Sequence, residues 1–492
     1  MKLTTLHKFS FILFFILILS FDFASATDFY WTGAANTNYN NLSNWKTGSY
    51  SGSAATALPT ASDNLFIGGA SSSNYTVNLN INDTISSLTI EGTGQIFINS
   101  STAKVLCVAG DLTNTNSNTV GGGTALIRFY GSADQTWSGD GSTDGIGKCP
   151  NMGIQKSGGT LSLSGFITMG GSTTLSIATT NSGSIDAGNS TVVFTYADNI
   201  RGDWVFNNVM FYGRGGSYTI YAPAGKIVVL GSIILSAAGV VTIDSAEIEL
   251  LGDLDNQNGN SSSVIHSQLV LTGGNEQALL TNNTNLDRLK LNKTDNRLTL
   301  RAELTVNKNL DLTAGNIQSY DHGLILIDNA TAVNASDASF VEGGVIKQGN
   351  DAFTFPLGAY GEYHPLGISA PSSSSDEFIA QYFDEPSGIT DIVSPITYTD
   401  PCEYWNLEHT SGSASVNVTL AWDNPCFHIA SLSYFVIARD SSSNWVKALG
   451  TFSNTGNTTT GTITSNTARS TWGDLTLAKT NPLVVANAGR DT

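Results

Sequence analysis

Short apolar–polar–apolar triplets recur along the middle of this 492-residue chain. Leu88-Thr89-Ile90, Ile96-Phe97-Ile98, Leu161-Ser162-Leu163 and Leu298-Thr299-Leu300 are examples. Period-two alternation puts Leu and Ile on one face of a strand and the Ser or Thr on the other. Late in the run the apolar pairs come in quick succession: Leu298/Leu300, Leu304/Val306, Leu310/Leu312, then Ile317. That step fits a three-residue strand plus a corner, and three such faces make a coil of roughly 20 residues. Asn307, Asn309 and Gly315 stand at the expected corners, where left-handed backbone and stacked amides are accommodated.

Longer cassettes repeat as well. Gly110-Asp111-Leu112-Thr113-Asn114 returns as Gly252-Asp253-Leu254-Asp255-Asn256, and Gly131-Ser132-Ala133-Asp134-Gln135 returns as Gly273-Gly274-Asn275-Glu276-Gln277. Both pairs share a single offset, and after a short slip Leu161-Ser162-Leu163 matches Leu298-Thr299-Leu300. A weaker third copy spans about 192–248. Repeated short strands predict a parallel β-solenoid, in which each unit buries its apolar face against its neighbours. An antiparallel sandwich would alternate too, so the pattern alone leaves that alternative open. After about residue 340 the rhythm changes. Prolines enter, and longer strands at 378–383, 416–422, 434–439 and 475–478 are spaced by Ser/Gly/Asn turns, as in an antiparallel β-sandwich. The expected organisation is all-β: a leader at 1–26, an aromatic-rich cap at 27–80, solenoid repeats at 81–340, a sandwich domain at 341–480, and a linker at 481–492 opening a further, truncated domain.

The leader is read from Lys2 and Lys8, the apolar run at 9–19 and the Ala24-Ser25-Ala26 cleavage site. It implies use of the export machinery, Thr27 as first mature residue, and an extracellular or cell-surface location. No other stretch is long and apolar enough to span a bilayer. The formal charge of −18 argues against nucleic acid or anionic membrane as partner. Export permits disulfides. Cys402 and Cys426 are the favoured pair, Cys107 and Cys149 the second candidate, and four cysteines allow three connectivities.

The stretch FYWTGAANTNYNNLSNW followed by LPTASDN resembles the start of large secreted surface proteins of Bacteroidetes-type bacteria. The GDLTN and QTWSG cassettes are similar to their solenoid repeats, CEYWNLEHTSGSASVNVTLAW to the sandwich that follows, and VANAGRDT to the opening of an immunoglobulin-like or PKD-like repeat. The resemblance implies an adhesin-like or matrix component. It also marks Thr84 and Ser245 as O-glycosylation candidates, since Asp83-Thr84-Ile85 and Asp244-Ser245-Ala246 resemble the acceptor tripeptide.

Catalytic motifs are missing from the sequence: no H-E-x-x-H, no G-x-S-x-G, no Walker loop, and no C-x-x-C. Asp253-Leu254-Asp255-Asn256-Gln257-Asn258-Gly259 resembles a calcium loop but has Val264 where an acid is needed, so a turn is expected. His409 and His428, near Cys402, Cys426 and Glu403, match no common zinc spacing, and no metal or cofactor is expected. Two candidate glycan contacts remain. Tyr30, Trp31 and Trp45 either stack on sugars or form the core of the cap, which the solenoid end needs. Arg288, Lys290 and Lys293 head a basic strip continuing to Arg297, Arg301 and Lys308, interleaved with Asp287, Asp295, Glu303 and Asp311. The leading expectation is a secreted, non-enzymatic solenoid for adhesion or spacing. The alternative is a β-helix protein that binds or degrades polysaccharide, a lyase among them, working along that strip.

Overall fold

The computed structural model describes residues 26–481, apart from 70–71, 122–123, 140–147, 171–172, 196–198, 213–217, 237–239, 258–263, 283, 295–296 and 321. The leader at 1–25, the linker at 482–492 and Asp295 therefore lie outside the described residues. The chain is all-β, 1% helical, with a parallel β-solenoid of about 11 turns.

The triplets do what their alternation predicts. Ser87–Ile90 and Leu298–Leu300 bury their Leu and Ile and turn the intervening Thr outward. Like residues then stack on like: Leu65 lies beside Leu88, Leu88 beside Leu112, and Leu112 beside Trp137. The coils are unequal: the late one from Leu298 to its partner Ile317 is shorter than the early one from Leu112 to Trp137. Each enclosed Leu or Ile contributes about 1.5–3 kcal/mol, and the ladder repeats that gain at every rung. Every strand ladder from Asn64–Ile67 to the pairing of Leu324–Leu326 with Val345–Gln348 is parallel among the described residues.

At the N-terminal end, Asp28–Trp31 pairs in parallel with Asn64–Ile67 and so founds the first solenoid sheet. An antiparallel flap, Trp45–Thr47 and Ser53–Ala54, closes its edge. One expectation needs revision: Asn307 and Asn309 are not left-handed corners. They lie within the continuous strand Leu304–Ala314, which pairs first with Leu324–Leu326 and then with Thr331–Val333. The chain bends there by register slippage, since its partner strand shifts between Leu286 and Arg288. Gly315 does take positive φ, at 87°.

Val345–Gln348 is the hinge between two pairing modes. One edge pairs in parallel with Leu324–Leu326 and the other antiparallel with Glu377–Phe383. The solenoid sheet thus continues without a break into antiparallel strands, through Tyr404–Ser411 and Gly473–Thr480 to Phe435–Asp440. A second antiparallel sheet runs Phe353–Phe355, Leu366–Ile368, Val418–Asp423, Thr460–Ser465, Phe452–Gly456. One hydrophobic cluster extends from Phe29 through the coils to Leu477.

Candidate functional site

The repeated cassette encodes a buried polar corner. Gln135 donates through Nε2 to the carbonyls of Val108 (2.9 Å) and Gly110 (2.6 Å) on the previous coil. Its Oε1 accepts from Lys156 Nζ at 2.5 Å on the next, and Lys156 also donates to the Ala133 carbonyl at 2.7 Å. In the second copy of the cassette, Gln277 donates to Leu250 (3.0 Å) and Gly252 (2.8 Å). Lys293, the counterpart of Lys156, donates to Gln277 Oε1 (2.6 Å) and to the Asn275 carbonyl (2.7 Å). Asp111 and Asp253 complete the match, accepting from the backbone N–H of Thr136 and Ala278. Each corner ties three coils through groups that an unpaired turn would leave unsatisfied. Burial pushes the ammonium of both lysines below the usual range, with nearby Asp134 or Asp253 opposing.

That geometry corrects the basic strip. Arg288 and Lys290 do point outward, but Lys293 is buried in the corner. It follows strand Asn285–Asn292, where period-two alternation no longer applies. Two of its other cations face acids: Lys290 lies 3.5 Å from Asp311, and Lys308 lies 2.5 Å from Asp287, which His266 also approaches at 3.1 Å. Burial acts to raise the Asp287 carboxyl, but hydrogen bonds from Lys308, Asn307 and His266 hold it below the ordinary value.

The N-terminal aromatics pack inward. Trp31 and Trp45 are fully buried, their rings 4.9 Å apart, and Tyr39 abuts Trp45 at 5.3 Å. Trp45 Nε1 donates to the Tyr39 carbonyl. Neither indole can meet an external sugar. Tyr30 is half-buried and stacks on Phe66 at 4.7 Å. Thr84 sits half-buried in Asp83–Ile85; Ser245 lies within Val241–Leu250, its side chain outside the described residues.

Cys402 and Cys426 are bonded, with S–S 2.02 Å and Cα–Cα 6.1 Å. Cys107 and Cys149 are not joined: Cys107 faces outward from Val105–Val108, while Cys149 is buried beside Met169. Asp400 brings an oxygen within 4.8 Å of the Cys402 and Cys426 sulfurs, but oxidised sulfurs are not thiolate ligands. His409 stacks on Phe378 at 4.3 Å and lies 3.4 Å from Asp376, and it is not a member of that cluster.

A titratable group that sequence reading missed lies beside the disulfide. His364 Nδ1 is 3.1 Å from Glu403 Oε2, which also accepts from Tyr382 at 2.9 Å. The His364 ring stacks on Tyr382 at 4.5 Å. His364, Glu403 and nearby Asp400 are all buried. Burial pushes the Asp400 carboxyl up to about 6. Burial acts to lower His364, yet Glu403 and Glu362 raise it overall. The Tyr-His-Pro run at 363–365 gave no signal of this, because Glu403 reaches it only through the fold. His364, Glu403 and Tyr382 are enclosed and paired with one another, the arrangement of a structural network, while Asp400 Oδ2 is buried with no hydrogen-bond partner among the described residues. The chain matches no known protein family, no curated protein and no solved structure.

Proposed function

We propose that the chain is an exported, non-catalytic surface protein, adhesin-like or a matrix spacer, whose solenoid holds its ends at a fixed separation. The observation that carries this reading is the continuity of the core: the parallel sheet passes at Val345–Gln348 directly into the antiparallel strands, so no flexible joint divides them. The two antiparallel sheets are read as a β-sandwich, supported by the ring contact of Trp422 with Phe435, 4.8 Å apart, across them. A disulfide in that region accords with an oxidising compartment. Pairing of Lys290 and Lys308 with acids and the burial of Lys293 favour a spacer over a groove for acidic polysaccharide. The test is fractionation of a producing cell, with sequencing of the mature N-terminus and incubation of the protein with uronic-acid polymers. Surface or medium location, a first residue of Thr27 and no new reducing or unsaturated ends are expected. Intracellular retention would contradict the reading, as would product formation abolished by Lys290→Ala.

A further inference from the structure

Where the solenoid ends, the turn after Ile317–Gln318, the strand Val341–Glu342 and the end of Glu377–Phe383 enclose a cleft of about 240 Å³. Gly343, Gly358, Ala359, Gln381 and Phe383 also line it. Three tyrosines line it: Tyr382 is buried, while Tyr320 is 62% exposed and Tyr360 87%. Glu342, Asp384 and Glu385 supply carboxylates.

Two features separate this cleft from a chance indentation. Tyr360-Gly361 is the two-residue loop of a hairpin, with Gly358 paired to Tyr363 and Ala359 to Glu362. Both loop residues have positive φ, 50° and 94°, a turn that favours Asn-Gly. A tyrosine there is strained, and strain at an exposed aromatic is a pointer to function. Tyr320 is held in place: its hydroxyl donates to Glu342 Oε2 at 3.1 Å, which also accepts from Gln318 at 3.1 Å. The rings are thus presented to solvent, and one of them is fixed before any ligand arrives, which reduces the ordering cost of binding.

We infer that the cleft binds an uncharged saccharide segment. Tyrosine faces take the C–H face of a sugar ring, and carboxylates accept from its hydroxyls. The acids repel uronic-acid polymers. Calcium is not favoured, because among the described residues the carboxylates of this cleft do not form a cluster of three with ligand atoms within 4.8 Å. The volume lies below the ~300–1,000 Å³ of pockets that enclose a drug-sized ligand, which suits one ring of a chain lying across it. This assignment stands apart from the spacer reading; a chain retained in the cell would still carry the cleft.

The test is affinity electrophoresis of the full chain through gels containing soluble β-glucan, galactomannan, arabinoxylan or dextran, with polygalacturonate as the anionic control. Retardation by at least one neutral polymer is expected. Tyr360→Asn puts a turn-favoured residue in the strained position, so it folds at least as well as the parent. It and Tyr320→Ala should each weaken retardation by about tenfold. No retardation by any neutral polymer would overturn the assignment. So would retardation that persists undiminished in both variants.

Discussion

At the scale of single residues, the Gln–Lys corners show why the sequence repeats where it does. Lys293 Nζ and Gln277 Oε1 satisfy each other inside the coil, and each side chain also holds backbone carbonyls. Lys293→Met strands the acceptors, and Gln277→Leu strands the ammonium. Either change should cost about 1–3 kcal/mol, while the double variant should lose less than the two together. Denaturant melts of the four proteins measure the coupling; strictly additive losses would show that the two groups act independently. The buried groups near the disulfide set a pH dependence. The folded Asp400 carboxyl sits near 6 rather than 3.8, so its stabilising contribution is full below 3.8 and is lost as pH rises through about 6. His364, raised above 6.5, acts with the same sign: its contribution is full below 6.5 and fades as pH passes its folded value. Asp63 and Asp376 are held below 3.8 and lose their contribution as pH falls through that range. The melting temperature should therefore peak at about pH 4 and decline toward 8. Asp400→Asn should flatten the decline between pH 4 and 6. A stability maximum at pH 8 would contradict these assignments.

At the scale of elements, the inward Leu and Ile of the triplets were legible because period two is a local property of the chain. The long-range match between cassettes was legible too, but its meaning was not. Gln277 and Lys293 are 16 residues apart and meet only because a coil closes between them. Lys156 and Lys293 stand at the same offset as the matching Leu triplets, and that was the signal that could have placed Lys293 inside. Trp31 and Trp45 were ambiguous for a different reason: an aromatic serves a core or a sugar equally well until its exposure is known. Tyr320 and Tyr360 gave no sequence signal as a pair, since a long stretch of chain and a change of sheet separate them. The turn Pro59-Thr60-Ala61-Ser62-Asp63, by contrast, has a local cause. Asp63 accepts from the Thr60 N–H (2.8 Å) and hydroxyl (2.7 Å), and from the Thr27 N–H (2.9 Å). It thereby ties the start of the first strand to the second coil. Asp63→Ala should destabilise by about 1–3 kcal/mol and speed amide exchange in Asp28–Trp31 ahead of the rest of the solenoid. Uniform exchange across all coils would show that Asp63 does not hold that end.

At the scale of the whole molecule, stacked coils interact with their neighbours, so a solenoid is stiff as long as every interface is made. With about 11 turns at a strand spacing of roughly 4.8 Å, the parallel part alone rises about 50 Å. The hinge strand Val345–Gln348 adds the antiparallel sheets to the same body, because its two edges are paired to both. A spacer needs that stiffness, and a chain of separately folded modules would lack it. The most direct test is a distance distribution between two spin labels, one at Leu42 near the first coil and one at Leu449 beyond the junction, both exposed. Labels attached through a non-cysteine chemistry leave the Cys402–Cys426 bond intact. A single narrow distribution, unchanged by viscosity or salt, is the predicted result. A broad or two-peaked distribution would show a joint between solenoid and antiparallel sheets and would contradict the rigid-spacer account.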